Sequence, residues 1–177
     1  IDAVTRIVTT VAGNGTFGYS GDGGPAVVAG LGGVQQIEVV ENDLVILDGD
    51  ANGQRLRRVD SETGVISSIL SRRANECVSA LAVGPSGHLV AFFETSSPSM
   101  YSIERVDPVT GERTPLLSGE GLDFTVRRMV VASDTVFLVA DTANGRIWRI
   151  DGGNGSVALV AGGGGTAVSY SSIEAVE

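Results

Sequence analysis

The sequence predicts an all-β fold made of four-stranded antiparallel units, and two observations lead to this prediction. First, one pattern occurs three times: an apolar strand, an acidic residue, a polar turn, an Arg-bearing strand and a final Asp. That Asp stands at positions 60, 107 and 151, so the pattern recurs after 47 and then 44 residues, about the length of one β-propeller blade. Second, no segment keeps the apolar spacing of a helix over three turns without a Gly, Pro or Asn-Gly interruption.

Each unit supplies four predicted strands. The second strand is a continuous apolar run, as at residues 44–47 and 136–140, which indicates burial on both faces between stacked sheets. A turn containing Gly follows each final Asp and leads into the fourth strand, because Gly readily takes the positive φ of a tight hairpin. The following apolar residues of these strands are expected to be buried between neighbouring sheets: Val45, Leu47, Val136, Leu138 and Ile147.

The repeat divides the chain into five segments. Their bounds are 1–31, 32–76, 77–125, 126–169 and 170–177. The three middle segments are predicted to be complete blades. The first segment is predicted to hold the last strand of a preceding blade, at residues 6–12, followed by a Gly-rich loop between blades, and the last segment the first strand of a following blade. Propellers have roughly four to eight blades, so three complete and two partial blades are predicted to belong to a larger propeller.

Composition narrows the classes of partner. The chain has 12 basic and 21 acidic residues, for a net charge of −9, which opposes binding to nucleic acid and to anionic membrane surfaces. No apolar run approaches the roughly 20 residues that span a bilayer, so no membrane insertion is expected. The one cysteine, Cys77, excludes an intrachain disulfide.

A carboxylate ends each second strand, and an arginine recurs in each third strand. These residues are Asp48, Glu94 and Asp141, and Arg58, Arg105 and Arg149. Charges that recur once per blade could line a binding surface, or they could form ion pairs that hold each blade in its stack. Because residues repeated in every blade usually serve the blade, we interpret all six as members of structural ion pairs.

No catalytic, cofactor-binding or metal-binding residue is predicted. Asp22 lies among glycines at 21–24, but one carboxylate is too few for calcium, which takes roughly 6 to 8 oxygen ligands. His88 is the only histidine and follows a turn sequence, which favours a solvated imidazole. Trp148 and Tyr101 could present rings to a sugar or a protein, although a ring in a blade more often packs against the adjacent sheet.

Two segments resemble the NHL-repeat β-propeller family. Residues 7–26 are similar to its inter-blade segment, and the run from Ala140 to Asp151 is similar to its hairpin, whereas residues 95–100 replace the Asp-Thr-x-Asn turn in the middle blade. The resemblance implies a propeller, commonly six-bladed, that binds proteins, carbohydrate or RNA through its faces and is sometimes embedded in large extracellular proteins. A single His does not provide the multi-His metal centre of the amidating lyase in this family.

The function predicted from these features is a non-catalytic module for protein or glycan binding or for assembly, without a cofactor, in an extracellular or cell-surface protein. Asn14 and Asn154 begin Asn-x-Ser/Thr triplets in Gly-rich turns, so both are candidate N-glycosylation sites, although chance and turn chemistry explain such triplets more often than glycans do. The expected partner is the rest of a parent chain, or neighbouring copies, that completes the propeller. Two alternatives remain open: a structural subunit of an extracellular fibre or surface layer, and a hydrolase or lyase whose site lies in blades absent from this chain.

Overall fold

A computed structural model describes residues 4–50, 53–71, 76–96, 99–120, 125–163 and 173–175. Within them lie three antiparallel sheets, each built on a four-stranded meander in chain order, with a fifth strand added to the second, and one 3-10 turn at Ala26–Val28. The first sheet comprises β1 (Gly33–Val40), β2 (Asp43–Asp50), β3 (Gly53–Val59) and β4 (Ile66–Ser71). The second comprises β5 (Glu76–Val83), β6 (Leu89–Ser96), β7 (Ser99–Val106) and β8 (Arg113–Glu120). The third comprises β9 (Val126–Ser133), β10 (Val136–Asp141), β11 (Arg146–Asp151) and β12 (Ser156–Ala161).

The three sheets are blades of a β-propeller, which confirms the predicted all-β class and the four-stranded antiparallel blades. Strand β5 of the second blade contacts both β1 and β9. The first strands of the three blades therefore lie next to one another at one edge of the stack, where a propeller has its axis. Each later strand of a blade lies farther from that edge.

The final Asp of each unit holds the turn between the third and fourth strands. Asp60 Oδ1 accepts a hydrogen bond from the Thr63 N–H at 2.8 Å, and Asp107 Oδ1 accepts one from the Thr110 N–H at 2.7 Å. Such bonds from a short carboxylate to the backbone a few residues later favour a turn. This local role explains why Asp recurs at the same place in every unit.

Apolar side chains fill both contacts between blades. The contact between the first and second blades contains Val45, Leu47 and Leu56 on one side and Leu89, Ala91 and Phe93 on the other. The contact between the second and third blades contains Phe92 and Ile103 on one side and Phe137, Val139 and Trp148 on the other. Successive residues of β6 thus face different neighbours, because side chains alternate across a strand, and the second blade is covered on both faces.

One glycine allows the first two blades to approach closely. Gly111 lies in the turn between β7 and β8 with φ +72°, and a Cβ at this position would collide with the carbonyl oxygen of Ile69 in β4. Only Gly avoids both the positive-φ strain and this clash. The turn of the second blade can therefore lie directly on the outer strand of the first.

The Gly-rich segment that precedes β1 covers the other face of the first blade. Ala26 and Ala29 are buried there against Ile46, Val59 and Ile66. Backbone bonds fix this arrangement, since the Gly23 N–H donates to Ile66 O at 2.8 Å and the Ala26 N–H donates to Gly64 O at 2.8 Å. The segment at residues 13–31 is called the cover loop below.

The expected burial holds for the first blade and is wrong for part of the third. Val45 and Leu47 are buried, whereas Val136 and Leu138 are half-buried and the side chain of Ile147 is 41% exposed. The reason is that continuous apolar runs predict two covered faces, and the third blade has only its face toward the second blade covered by described residues. Its core residues are therefore the alternate ones, such as Phe137 and Val139.

The two predicted partial blades differ from the structure. Residues 6–12 form no strand, and most of them are exposed. Strand β13 (Ile173–Ala175) pairs antiparallel with β8, with Glu174 opposite Ser118. It therefore adds to the outer edge of the second blade rather than beginning a following blade, because an unpaired strand edge accepts any backbone of suitable register. The other residues of 170–177 lie outside the described residues.

Alkaline unfolding is expected to depend on Tyr101, which stacks on Phe92 with ring centroids 5.6 Å apart. Burial raises the pKa of its hydroxyl from 10.0 to about 12, so its contribution to stability is complete below about pH 10 and is lost toward about pH 12. All basic residues are Arg, so no Lys titrates in this window. We expect Tyr101→Phe to flatten the pH dependence of the unfolding free energy over this range in urea denaturation. An unchanged slope would contradict the burial.

Candidate functional site

Two of the repeated carboxylates hold the start of the first strand in their own blade. Asp48 Oδ1 accepts the Gly32 N–H at 2.7 Å, and Asp141 Oδ1 accepts the Thr125 N–H at 3.3 Å. Both carboxylates are buried, and in both cases the donor lies 16 residues earlier in the chain. The repeated acid therefore pairs the N–H of the residue immediately before the first strand, which the sheet leaves free.

Glu94 instead connects two blades. One of its oxygens accepts the Ser79 hydroxyl at 2.6 Å, and the other accepts the N–H of Val126 in the third blade at 3.3 Å. This carboxylate stabilises the contact between the second blade and the third.

The interpretation of Glu94 and Asp141 as ion-pair residues is wrong for the described residues, where no arginine lies within 4.0 Å of either carboxylate. The register of the strands explains the difference. Asp48 lies opposite Arg55, whereas Arg58 lies opposite Val45, three positions away along β2. The repeated acid and the repeated arginine thus occupy opposite ends of each blade. Asp48 alone of the three acids has a guanidinium nearby, that of Arg57 at 3.6 Å.

Two of the three repeated arginines do form ion pairs, with partners other than the acids of the second strands. Arg58 pairs with Asp43 at 2.5 Å and with Asp60 at 2.9 Å. Arg149 pairs with Asp151 at 2.7 Å, and its side chain is 39% exposed. In the first and third blades, these guanidinium groups lie at the end of the sheet where the second strand begins and the third strand ends.

Arg105 departs from this pattern. No carboxylate of the described residues lies within 4.0 Å of it, and its buried Nε has no hydrogen-bond partner. In the strand register, His88 takes the place in the second blade that Asp43 has in the first, so the main partner of Arg58 has no counterpart here. The interpretation of Arg105 as an ion-pair residue is therefore wrong for the described part of the chain.

Arg57 is a fully buried charged residue, and the sequence analysis assigned it no role. Its Nη1 donates to Gly30 O at 2.8 Å and its Nη2 to Ser20 O at 2.9 Å. The Nε donates to Asp22 Oδ1 at 3.0 Å, and Asp48 lies 3.6 Å away. This arginine therefore fastens the cover loop to the first blade through three of its donor nitrogens.

Both carboxylate oxygens of Asp22 accept hydrogen bonds beside Arg57. Its Oδ2 accepts the Tyr19 hydroxyl at 2.7 Å and the Ser68 N–H at 2.8 Å. Burial raises the pKa of Asp22, but the hydrogen bonds from Ser68, Tyr19 and Arg57 outweigh it and hold the pKa below its ordinary value. The carboxylate considered above for cation binding thus acts as an acceptor for the cover loop and the first blade.

Sequence comparison between blades could not have found Arg57, because it does not repeat. Its counterparts one residue before Arg105 and Arg149 are Glu104 and Trp148. The available signal was local: a Gly-rich loop with one acid, followed by one blade with an additional arginine. Neither feature indicates by itself that the two meet.

The remaining candidate side chains lie at separate places. His88 and Arg105 line a cavity of ≈ 410 Å³ beside the turns of the first and second blades, with Glu112 at its edge. Trp148 and Tyr101 are buried in the contact between the second and third blades, so neither ring is presented to a sugar or protein. Among the described residues, no group of three or more His, Cys, Asp and Glu is arranged to hold a metal ion.

Both predicted glycosylation sites are exposed. The Asn14 side-chain amide donates to Val28 O at 2.9 Å, so it helps to hold the cover loop. Asn154 accepts the Ser156 N–H through its Oδ1 at 3.0 Å. Its occupancy by a glycan stays a prediction. The described part of the chain contains no helix that is long and apolar enough to cross a membrane.

An apolar surface on the third blade is the remaining candidate site. It lies on the side of that blade turned away from the second blade, and we call it the outward face. Val130 is 59% exposed and Val160 56% exposed, and Leu138 lies between β9 and β11. The outward face consists of Arg128, Val130, Leu138, Ala140, Ile147, Arg149 and Ala158, and the exposed Val160 lies at the bulge of β12 beside it.

The outward face repeats positions that are buried elsewhere. Leu138 lies opposite Arg149 as Val45 lies opposite Arg58, and Ile147 precedes Arg149 by two residues as Leu56 precedes Arg58. Val45 and Leu56 are fully buried by the second blade. The fold defines the class of protein as a propeller of repeated blades, and the outward face has the residue pattern of positions that are buried between the blades described above.

No family model and no curated protein matches the chain. Puromycin hydrolase is similar in structure, with 17% identity and a TM-score of 0.46 over 71% of this chain and 20% of that chain. A Mycobacterium tuberculosis puromycin-hydrolyzing peptidase has 12% identity and a TM-score of 0.45 over 70% of this chain and 20% of that one. A Bacteroides caccae protein of unknown function has 14% identity and a TM-score of 0.48, over 78% and 46%. The chain thus spans from a fifth to less than half of these proteins.

Proposed function

We propose that this chain is a non-catalytic NHL-type propeller module for recognition or assembly, belonging to an extracellular or cell-surface protein and contacting a protein or glycan partner. The observation that carries the proposal is the outward face. It is an apolar surface with the side-chain pattern of a contact surface, and contiguous apolar patches on soluble proteins commonly mark sites of interaction. Among the residues that the structure describes, none covers this face, and Val130 and Val160 are exposed on or beside it.

The use of the charged side chains supports the non-catalytic part of the proposal. Catalytic acids and bases need a free hydrogen-bonding position that can reach a substrate. The carboxylates of Asp22, Glu94 and Asp141 instead accept hydrogen bonds at both oxygens from groups of the same chain. Their geometry stabilises the stack of blades.

Turnover assays test this proposal directly. We expect the purified protein to give no hydrolysis of amide, ester or glycoside substrates and no lyase turnover above that of a His88→Ala control. His88 is the only histidine of the chain, and it lines the cavity described above, so it is the side chain whose removal tests for acid–base chemistry at that cavity. Turnover that is present in the wild type and lost in His88→Ala would contradict the proposal.

A further inference from the structure

Four asparagines of this chain are followed by glycine: Asn14, Asn52, Asn144 and Asn154. Asparagine is a chemically labile residue, and it is most labile before Gly, because the next backbone nitrogen can then reach the side-chain amide without hindrance from a side chain of its own. Asn52 lies outside the described residues. The other three are exposed to water, so exposure does not distinguish them.

We propose that Asn154 is a site of spontaneous deamidation in the turn between β11 and β12. The Gly155 nitrogen forms a bond to Asn154 Cγ and gives up its proton, and the side-chain amino group leaves with a proton as ammonia. Water then opens the five-membered succinimide ring. Cleavage between Cγ and the nitrogen gives aspartate, whereas cleavage between the main-chain carbonyl carbon and the nitrogen gives isoaspartate. Amide and water become carboxylic acid and ammonia, without oxidation or reduction.

The side-chain carbonyl of Asn154 is already placed for this attack. Its Oδ1 accepts the Ser156 N–H at 3.0 Å, a bond that closes a ring across Gly155. The closed ring keeps Cγ near the Gly155 nitrogen, and the hydrogen bond makes Cγ more electrophilic. Asn14 has the same arrangement, since its Oδ1 accepts the Thr16 N–H at 2.8 Å.

The amide nitrogen distinguishes Asn154 from the other two. Asn14 Nδ2 donates to Val28 O at 2.9 Å, and Asn144 Nδ2 donates to Asp141 Oδ2 at 2.8 Å. Within the part of the chain that the structure describes, Asn154 Nδ2 has no hydrogen-bond partner. Ring closure requires the side chain to turn and this nitrogen to leave, so the bonds of the other two asparagines must break first.

The attacking nitrogen is also free of a bond that the other blades have. In the first blade, the glycine at this place, Gly64, donates its N–H to Asp60 O at 2.8 Å. In the second blade, Gly111 donates to Asp107 O at 2.9 Å. The Gly155 N–H makes no such bond to the described residues. Its nitrogen can therefore lose its proton and approach Cγ without breaking a backbone hydrogen bond.

Threonine takes the place of Asn154 in the other two blades. The hydroxyl of Thr63 accepts the Val65 N–H at 3.4 Å, and that of Thr110 accepts the Glu112 N–H at 3.2 Å. A hydroxyl or an amide oxygen thus accepts the N–H two residues later in all three turns. Only the amide of the third blade has a carbonyl carbon that can close the ring.

The products change the outer edge of the third blade. Isoaspartate adds one carbon to the main chain in the turn, and β12 pairs only with β11 among the described strands, with Ser156 opposite Asp151. A longer turn therefore loosens this register. Aspartate retains an oxygen for the Ser156 N–H but adds a negative charge to the turn. Neither product has the amide that an N-glycan requires, so deamidation and glycosylation of Asn154 exclude each other.

Peptide mapping of the folded protein after incubation at physiological temperature and mildly alkaline pH tests the inference. Trypsin cuts this chain only after Arg, because it contains no Lys. Asn144 therefore lies in the peptide that ends at Arg146 and Asn154 in the peptide that begins at Ile150, and fragment ions locate any change at Asn14. We expect Asn154 to acquire the mass of a carboxylic acid at least about fivefold faster than the other two, the factor that corresponds to one hydrogen bond.

Concentrated urea provides the control for local sequence. The three asparagines lose their hydrogen bonds there, and we expect them to react at similar rates. Equal rates at all three in the folded protein, faster reaction at Asn14 or Asn144 than at Asn154, or a preference for Asn154 that persists unchanged in urea would each overturn the proposal.

Asn154→Thr is the matched variant, because it restores the residue that the other two blades have at this place. Hydrogen exchange of β12 should become faster as the wild type ages and should stay constant in aged Asn154→Thr. An equal increase in both proteins would show that the ageing of β12 does not arise from Asn154. These measurements involve neither turnover nor a partner, so their failure is distinct from a failure of the proposed function.

Discussion

Arg57→Ala is expected to lower the free energy of unfolding by about 3 to 5 kcal/mol, the usual cost of removing one partner from a buried ion pair. The side chain is completely buried, and its removal leaves the fully buried Asp48 without a nearby cation. It also leaves the carbonyl oxygens of Ser20 and Gly30 without their donors. The cover loop should therefore separate from the first blade before the rest of the protein unfolds.

Arg149→Ala is the matched control for this prediction. Its guanidinium is partly exposed and pairs only with Asp151 among the described residues, and exposed ion pairs contribute about 0 to 1 kcal/mol. Denaturation in urea compares the two variants. If Arg57→Ala lowered the free energy of unfolding no more than Arg149→Ala does, Arg57 would not be the residue that holds the cover loop on the first blade.

The same cluster predicts an effect of pH. The pKa of Asp22 is lower in the folded protein than its ordinary value of 3.8, so the unfolded chain binds a proton first as the pH falls. Its contribution to stability is therefore complete above the ordinary pKa and is lost as the pH falls through the lower, folded pKa. In Arg57→Ala this acid-dependent loss should be smaller, because one of the groups that lowers the pKa is absent.

Val139→Asp is expected to lower the free energy of unfolding by about 4 kcal/mol or more. Leu138→Asp, one residue earlier, should lower it by about 1 kcal/mol. Val139 is fully buried against the second blade, where an unpaired carboxylate has no compensating partner. Leu138 points to the outward face and is only half-buried, so an Asp there retains contact with water. The two substitutions introduce the same group into adjacent positions of one strand.

Thermal and urea unfolding should be measured at protein concentrations at which the chain is monomeric, so that loss of a partner does not add to the cost of Leu138→Asp. Equal costs for the two variants would mean that both faces of the third blade are covered within one chain. The comparison therefore tests the alternation of burial that distinguishes this blade from the second.

The strands and their grouping into blades could be predicted because the signals are local and recur. An apolar run, a turn with Gly and a final Asp determine backbone conformation over a few residues, as the bonds of Asp60 and Asp107 to their own turns demonstrate. Ion-pair partners were harder to predict. The sequence places Asp48 and Arg58 in the same hairpin, but only the register shows that three positions separate them.

By itself, the sequence determined the all-β class, the four-stranded unit and the presence of a repeated acid and arginine, because periodicity and turn chemistry act within one unit. Only the tertiary structure decided which apolar residues are buried, since Leu138 and Val90 have equivalent strand positions and differ only in whether a blade lies beyond them. Tertiary structure also joined Arg57 to Asp22, which lie 35 residues apart. Contacts between blades form where surfaces from different units meet, whereas periodicity and turn chemistry act within one unit. The repeat in the sequence therefore does not show which of its surfaces are buried.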